Sequence, residues 1–174
     1  MDKVDKFAKK VGAVNTIKII KRGVLKGYNT DVIGFKKSLA PLLKDHHKRA
    51  LILGTGGAAK AVAYVFKTMR IPYFNVSRHP LKKKEISYDD LNEKLIGEHT
   101  IIINCTPLGT SPKVLHKPSI PYKFIKEHHL LYDLIYNPDK TAFLKEGEKR
   151  GAQIKNGFEM LELQAEEAWR IWSK

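Results

Sequence analysis

A single cysteine, Cys105, stands in the 174 residues, so no internal disulfide can form and the chain has no need of an oxidising compartment. Long apolar runs are missing too. Nothing approaches the roughly 20 residues that span a bilayer, and Met1-Asp2-Lys3-Val4-Asp5-Lys6 lacks the apolar centre of a signal peptide. A soluble, cytoplasmic protein with no membrane partner is therefore expected. Acidic residues are few, 18 against 32 lysines and arginines, which leaves a formal charge of +14. That balance favours anionic partners without choosing among nucleotides, nucleic acid and membrane surfaces. No nucleic-acid partner is expected, because aromatics do not interleave with Lys9-Lys10, Lys36-Lys37 or Lys82-Lys83-Lys84 and no zinc-finger or helix-turn-helix pattern occurs. No metal site is expected either. His46-His47 and His128-His129 are adjacent pairs whose side chains diverge on a helix or strand, and no His or Cys spacing matches a zinc site.

What is present is most informative between Arg49 and Lys60. Leu51 to Leu53 reads as a buried strand that breaks into Gly54-Thr55-Gly56-Gly57-Ala58-Ala59, after which Ala61, Val62, Val65 and Met69 resume at helical spacing. Gly54 permits a tight turn, Gly56 lets the backbone approach a pyrophosphate, and Ala59 lets the helix pack close to the sheet. The start of that helix offers free N–H groups to an anion. Short glycine patterns also close ordinary strand-to-helix turns, so the loop alone does not decide.

The rest of the chain supplies the frame. Gly12 to Ile20 and Val24 to Asp31 suggest a hairpin, and Ile33 to Leu43 a helix interrupted near Pro41. Further strands are expected at 71–76, 99–105, 130–135 and 153–155, and helices at 87–96, 141–150 and 159–172. Strands alternating with helices from 50 to 155 imply an α/β fold of Rossmann-like type, a mostly parallel sheet with helices on both faces and ligands beyond the strand carboxyl ends. At this length the chain holds one full domain with appendages.

The second strand bears on the cofactor. It ends Asn75-Val76-Ser77-Arg78-His79 with no carboxylate to accept ribose hydroxyls, whereas Arg78 can fork onto a 2′-phosphate with Ser77 and Lys82 as further donors. NADP is thus expected over NAD. Alternatively, Arg78 caps a solvent-facing strand end. Cys105, in an apolar run, reads as a buried structural thiol rather than a nucleophile.

Four more motifs, Gly12-Ala13-Val14-Asn15-Thr16, Tyr28-Asn29-Thr30-Asp31, Asn104-Cys105-Thr106-Pro107-Leu108-Gly109 and Asp133-Leu134-Ile135-Tyr136-Asn137-Pro138, stand in the order and near the spacings of the shikimate dehydrogenase family. Asn156-Gly157-Phe158-Glu159-Met160-Leu161 with Gln164 resembles its closing motif. The resemblance covers nearly the whole chain and implies NADPH-dependent interconversion of 3-dehydroshikimate and shikimate in aromatic amino-acid biosynthesis. By that resemblance Asn15, Asp31, Tyr136 and Gln164 contact the ring substrate, and Asp31 is the carboxylate half of a catalytic Lys/Asp pair. Gly54, Thr55, Gly56, Gly57, Ala58, Ser77, Arg78, Lys82, Thr106, Leu134 and Gly157 are implied as cofactor contacts. Taken without the motifs, Asn15 and Asp31 also suit a turn residue and a helix cap.

The chain also departs from the family. Its members begin with a substrate domain carrying a Ser-x-Ser motif and an Asn-Val-Thr-x-Pro-x-Lys segment with the catalytic lysine, and this sequence has neither. It is expected to correspond to the later part of the enzyme, leaving Asp31 without its partner and the activity of this chain in question. In that view residues 1–30 are a remnant of the substrate domain, 31–156 an NADP-binding domain and 157–174 a helix packing back on the remnant. Val14, Ile17, Ile19, Leu161, Trp169 and Trp172 would then expose apolar faces that invite a homodimer. Val32 stands where a glycine is common, and Thr110 where a methionine is. A non-catalytic NADP-binding module and a quinate-acting relative are the alternatives.

Overall fold

The computed structural model describes all 174 residues. Strands β1 (Lys3–Val4), β2 (Thr16–Ile19) and β3 (Leu25–Tyr28) make a small sheet in the order β1-β3-β2. The expected hairpin is there, with Thr16 opposite Tyr28 and Ile19 opposite Leu25. Neither β1 nor α1 (Lys6–Val11) is legible by periodicity, because each is too short to show one. The local signals are the helix ends: the Asp5 carboxylate accepts the Phe7 N–H at 2.7 Å, and Gly12 closes the helix at φ 73°.

After α2 (Asp31–Leu39) the chain builds a six-stranded sheet. Its elements are β4 (Ala50–Leu53), α3 (Gly57–Thr68), β5 (Tyr73–Ser77), β6 (Glu85–Ser87), α4 (Glu93–Glu98), β7 (Ile101–Asn104), β8 (Leu130–Asp133), α5 (Ala142–Glu148), β9 (Gln153–Lys155) and α6 (Phe158–Trp172). The order is β6-β5-β4-β7-β8-β9, and every pairing is parallel. β4 sits where the order reverses, so the crevice beyond its carboxyl end is where such a sheet takes a ligand.

Both faces of the sheet are covered, which is why the strands read as unbroken apolar runs rather than alternating ones. Ala50, Ile52, Ile101, Ile103, Leu130 and Tyr132 pack on one side with α2 and α3, while Leu51, Leu53, Ile102 and Leu131 pack on the other with α4 and α5. All ten side chains are fully buried, and each large one contributes about 2 kcal/mol. α6 lies against α2 at Gly34, where an added Cβ would come within 2.6 Å of the Met160 carbonyl oxygen. No helix is long and apolar enough to cross a membrane.

Three expectations are corrected. Residues 87–96 are not one helix: Ser87 ends β6, its hydroxyl caps a turn at Tyr88–Asp90, and only Glu93–Glu98 is α-helical. Asp89 and Asp90 before the apolar pair Leu95-Ile96 mimic an acidic first turn, and the capping box they enter closes after one turn. Ile17, Ile19, Trp169 and Trp172 are exposed as expected, but Val14 and Leu161 are half-buried. The histidine pairs lie in turns, not on helices or strands, and their rings do not diverge, with centroids 4.4 Å apart in one pair and 4.6 Å in the other.

Those two turns are built alike. In Lys44-Asp45-His46-His47 the second histidine accepts the Lys44 N–H at Nδ1 (3.0 Å), and in Lys126-Glu127-His128-His129 it accepts the Lys126 N–H at the same distance. Both acceptor nitrogens must stay unprotonated. Burial, and then the neighbouring His46, push His47 down from 6.5 to about 4. Its folded-state value lies below the unfolded one, so its stabilisation is present above pH 6.5 and is lost as pH falls toward 4. Thermal melts at pH 7 and pH 5 should therefore show a smaller acid-induced drop in His47→Asn, which keeps an acceptor that cannot titrate, than in the parent chain.

Candidate functional site

At the carboxyl end of β4, Gly54 turns with φ 113°, its N–H bonded to the Val76 carbonyl and its own carbonyl receiving the Asn75 side-chain amide, both at 2.9 Å. This clamps the glycine loop between β4 and β5. Ala59, fully buried, brings α3 onto the sheet, and around Gly56 there is open space where a side chain would otherwise stand. Together with Ser77, Arg78, Thr106 and Leu108 the loop lines a cleft of about 680 Å³. Its single carboxylate, Asp89, comes from the turn after β6. The Arg78 side chain is exposed and forms no ion pair.

Beneath Thr106 lies a buried polar network to which the sequence assigns no role. Asn104 and Asp133, the last residues of β7 and β8, face each other in register. Asn104 Nδ2 donates to Asp133 Oδ1 at 3.0 Å, while Asn104 Oδ1 accepts from the Thr106 N–H at 3.0 Å and hydroxyl at 2.7 Å. Asp133 also accepts the Ile135 N–H at 3.1 Å and the Thr141 hydroxyl at 2.6 Å. Burial pushes its carboxyl up to about 6, against the pull of those donors. The signal was a polar residue closing an otherwise apolar strand twice over. Cys105 lines the cleft, yet burial, followed by the charges of Asp133 and Asp31, holds its thiol well above the ordinary value, as suits a structural group and not a nucleophile.

A second polar group lies where the small sheet meets α2 and α6. Asn15 Nδ2 donates to Asp31 Oδ1 at 2.7 Å and to the Thr30 hydroxyl at 3.1 Å, and its Oδ1 accepts the Thr30 N–H at 2.9 Å. The Thr30 hydroxyl donates to Gln164 Oε1 at 3.1 Å. Asn15 before β2 and Gln164 in α6 thus both meet Thr30, a residue of the Tyr28–Asp31 motif to which the sequence gave no role. Asp31 is the first residue of α2 and not its cap. That work falls to Asn29, which accepts the Val32 N–H at 3.2 Å. Burial raises the Asp31 carboxyl and the Asn15 amide opposes it. No lysine or arginine lies within 4.0 Å of Asp31.

The two groups are neighbours: the charge of Asp31 is felt at Cys105, and Gly57 at the start of α3 faces Ala13. Leu134 and Gly157 also meet, because an alanine Cβ at 157 would overlap the Leu134 carbonyl oxygen. Lys82 is set apart. It lines the recess beside the cleft and pairs with Glu85 at 3.7 Å. Tyr136 stands exposed on the loop after β8 without a hydrogen bond to Asn15, Asp31 or Gln164.

A parallel doubly wound sheet with a glycine loop at its central reversal defines a nucleotide-binding α/β protein of the Rossmann type. No protein-family model matches the chain. Individual relatives do. Shikimate dehydrogenase (NADP(+)) of Methanococcus vannielii is 38% identical over 191 residues, covering 99% of this chain and 66% of the relative. The Bacillus cereus protein of the same name is 33% identical over 189 residues, covering 99% of this chain and 67% of its own. Shikimate 5-dehydrogenase from Thermus thermophilus, solved in complex with NADP(H) and shikimate, superposes with a TM-score of 0.84 at 28% identity over 99% of this chain and 67% of its own. The chain belongs to the shikimate dehydrogenase family, and it spans 66% of the length of the Methanococcus relative.

Proposed function

We propose that this chain forms the NADP-binding part of a cytoplasmic shikimate dehydrogenase, which uses NADPH to reduce 3-dehydroshikimate reversibly to shikimate. The observation that carries the reading is the unpaired Arg78 guanidinium on the glycine-loop cleft, at a strand end where an NAD site would place a carboxylate. Residues 54 to 58 hold the pyrophosphate through backbone N–H groups. Ser77 and Arg78, with Lys82 swinging off Glu85, hold the 2′-phosphate. Thr106, Leu134 and Gly157 border the nicotinamide, which when bound exchanges a hydride with a ring carbon of the substrate.

The ring hydroxyls fall to Asn15 and Gln164, joined through Thr30, with Tyr136 closing from the β8 loop. Asp31 takes the proton-transfer side. Its carboxyl, held in place by the Asn15 amide, orients a basic partner that delivers or receives the proton on the substrate oxygen. By the family resemblance that partner is a lysine of the Asn-Val-Thr-x-Pro-x-Lys segment, and no lysine or arginine of this chain lies within 4.0 Å of Asp31. In this reading residues 1–30 and 157–174 serve the substrate side and 31–156 the cofactor. Ile17, Ile19, Trp169 and Trp172 pair two copies.

Shikimate-dependent reduction of NADP, followed by absorbance, tests the proposal on the chain alone and on the chain joined behind the lysine-bearing segment of a family member. Turnover is expected only in the joined protein and is abolished there by Asp31→Asn. A joined protein that binds NADP but gives no turnover would remove the dehydrogenase reading. Arg78→Ala should weaken NADP binding by about 10- to 100-fold, the worth of charge-assisted bonds to a phosphate, and leave NAD binding nearly unchanged.

A further inference from the structure

Beside the cleft, the outer face of α3 carries two adjoining recesses that share Lys60, Ala63 and Tyr73. One, of about 360 Å³, opens toward residues 82–85. The other, of about 680 Å³, continues along α3 to Lys67 and reaches α1 at Lys10. Lys10, Lys60, Lys67, Lys82, Lys83 and Lys84 line them, against one carboxylate, Glu85. Glu85 is already engaged, by Lys82 at 3.7 Å and by the Leu81 N–H at 2.8 Å. The other five lysines have no ion pair. On the far side of the sheet, by contrast, lysines meet carboxylates, as in Lys117–Glu146 and Lys140–Glu148. Five unpaired lysines are thus gathered on one concave strip.

Ammonium groups lined up without counter-charge repel one another, and a bound polyanion relieves that repulsion. Two of these lysines are held in place: Lys60 Nζ donates to the Gly12 carbonyl at 3.2 Å, and Lys84 Nζ lies 4.7 Å above the Tyr73 ring. Lysines act as point charges, which suits a run of phosphates more than a single planar carboxylate. The aromatic residues of the strip are already in use, Tyr73 beneath Lys84 and Tyr64 edge-on to Phe7 at 5.1 Å, so bases have no free platform on which to stack. We propose that this strip binds linear polyphosphate alongside the cleft that Arg78 lines, with Lys82 standing between the two.

Calorimetric titration of the chain with inorganic polyphosphate at several salt concentrations tests this. Saturable binding is expected, with log Kd rising against log salt at a slope of about 3 to 4, for about four neutralised phosphates. Lys67→Glu with Lys84→Glu should weaken binding at least about tenfold. Lys36→Glu with Lys94→Glu, exposed and unpaired on α2 and α4, makes the same change in net charge and should alter binding less than about threefold. Circular dichroism verifies that both double variants are folded. Equal losses in the two would reduce the effect to net charge and overturn the site, as would absence of saturable binding at about 50 mM salt. Tighter binding of a single-stranded oligonucleotide of equal charge would reassign the strip to nucleic acid and overturn the proposal.

Discussion

Alanine at position 157 should cost about 3 kcal/mol or more, out of a total that for a domain of this size is about 5–15 kcal/mol. Gly157 is where the chain leaves β9 and enters α6, with its N–H on the Ile135 carbonyl at 3.0 Å. A Cβ there meets the carbonyl oxygen, carbon and Cα of Leu134, all backbone atoms that no rotamer change can move aside. The loop after β8 and the start of α6 must separate, and with them the two residues that the proposed site places beside the nicotinamide. The same substitution at Gly97, inside α4 with open space around it, should instead stabilise by about 0.5–1 kcal/mol, because it only restricts the unfolded chain. Urea titrations of the two variants should therefore shift the midpoint in opposite directions.

Asp133→Ala should be nearly as damaging, at about 3 kcal/mol, since it strands the Asn104 amide and the Thr141 hydroxyl in a buried setting at about 1–3 kcal/mol each. Thr141 caps α5 through the Leu144 N–H at 3.4 Å, and Asn104 holds the Thr106 turn, so both the helix and the wall of the cleft loosen. Asp133→Asn keeps the oxygen that accepts from Asn104 and Ile135 and offers the Thr141 hydroxyl a donor in place of an acceptor, so it should cost about 1 kcal/mol. A pH signature separates the two effects. The folded-state value, about 6, lies above the ordinary 3.8, so the folded protein holds the proton more tightly between those values. The aspartate therefore disfavours the fold progressively as pH rises from about 4 through about 6, opposite to His47, and in Asp133→Asn that contribution disappears. Chemical denaturation at pH 4 and pH 7 checks the sign.

The large sheet was readable because both of its faces are buried, and full burial writes itself as runs such as Leu51-Ile52-Leu53 and Ile101-Ile102-Ile103. The glycine loop was readable because tight backbone geometry demands particular residues. Short elements were read unevenly, β9 at its three residues 153–155 but β1 and β6 not at all. β6 has three residues and β1 two, below any period, and the acidic pair before α4 imitated a helix start that the chain does not use. In the candidate site, motif reading named Asn15, Asp31 and Gln164 but gave no role to Thr30, whose hydroxyl links Asn15 to Gln164. It likewise named Thr106 and missed the Asn104–Asp133–Thr141 network that holds it. Side chains that bind a ligand recur in motifs that can be matched, whereas those that hold them are defined by contacts across the sheet, which one strand's sequence does not reveal.

Equilibrium titration of this chain with NADP and with NAD decides whether the cleft between the glycine loop and Arg78 is an NADP site. Saturable binding of NADP at least about tenfold tighter than NAD is expected, the worth of one charge-assisted phosphate contact. Equal affinity for the two, or no binding of either, would contradict it.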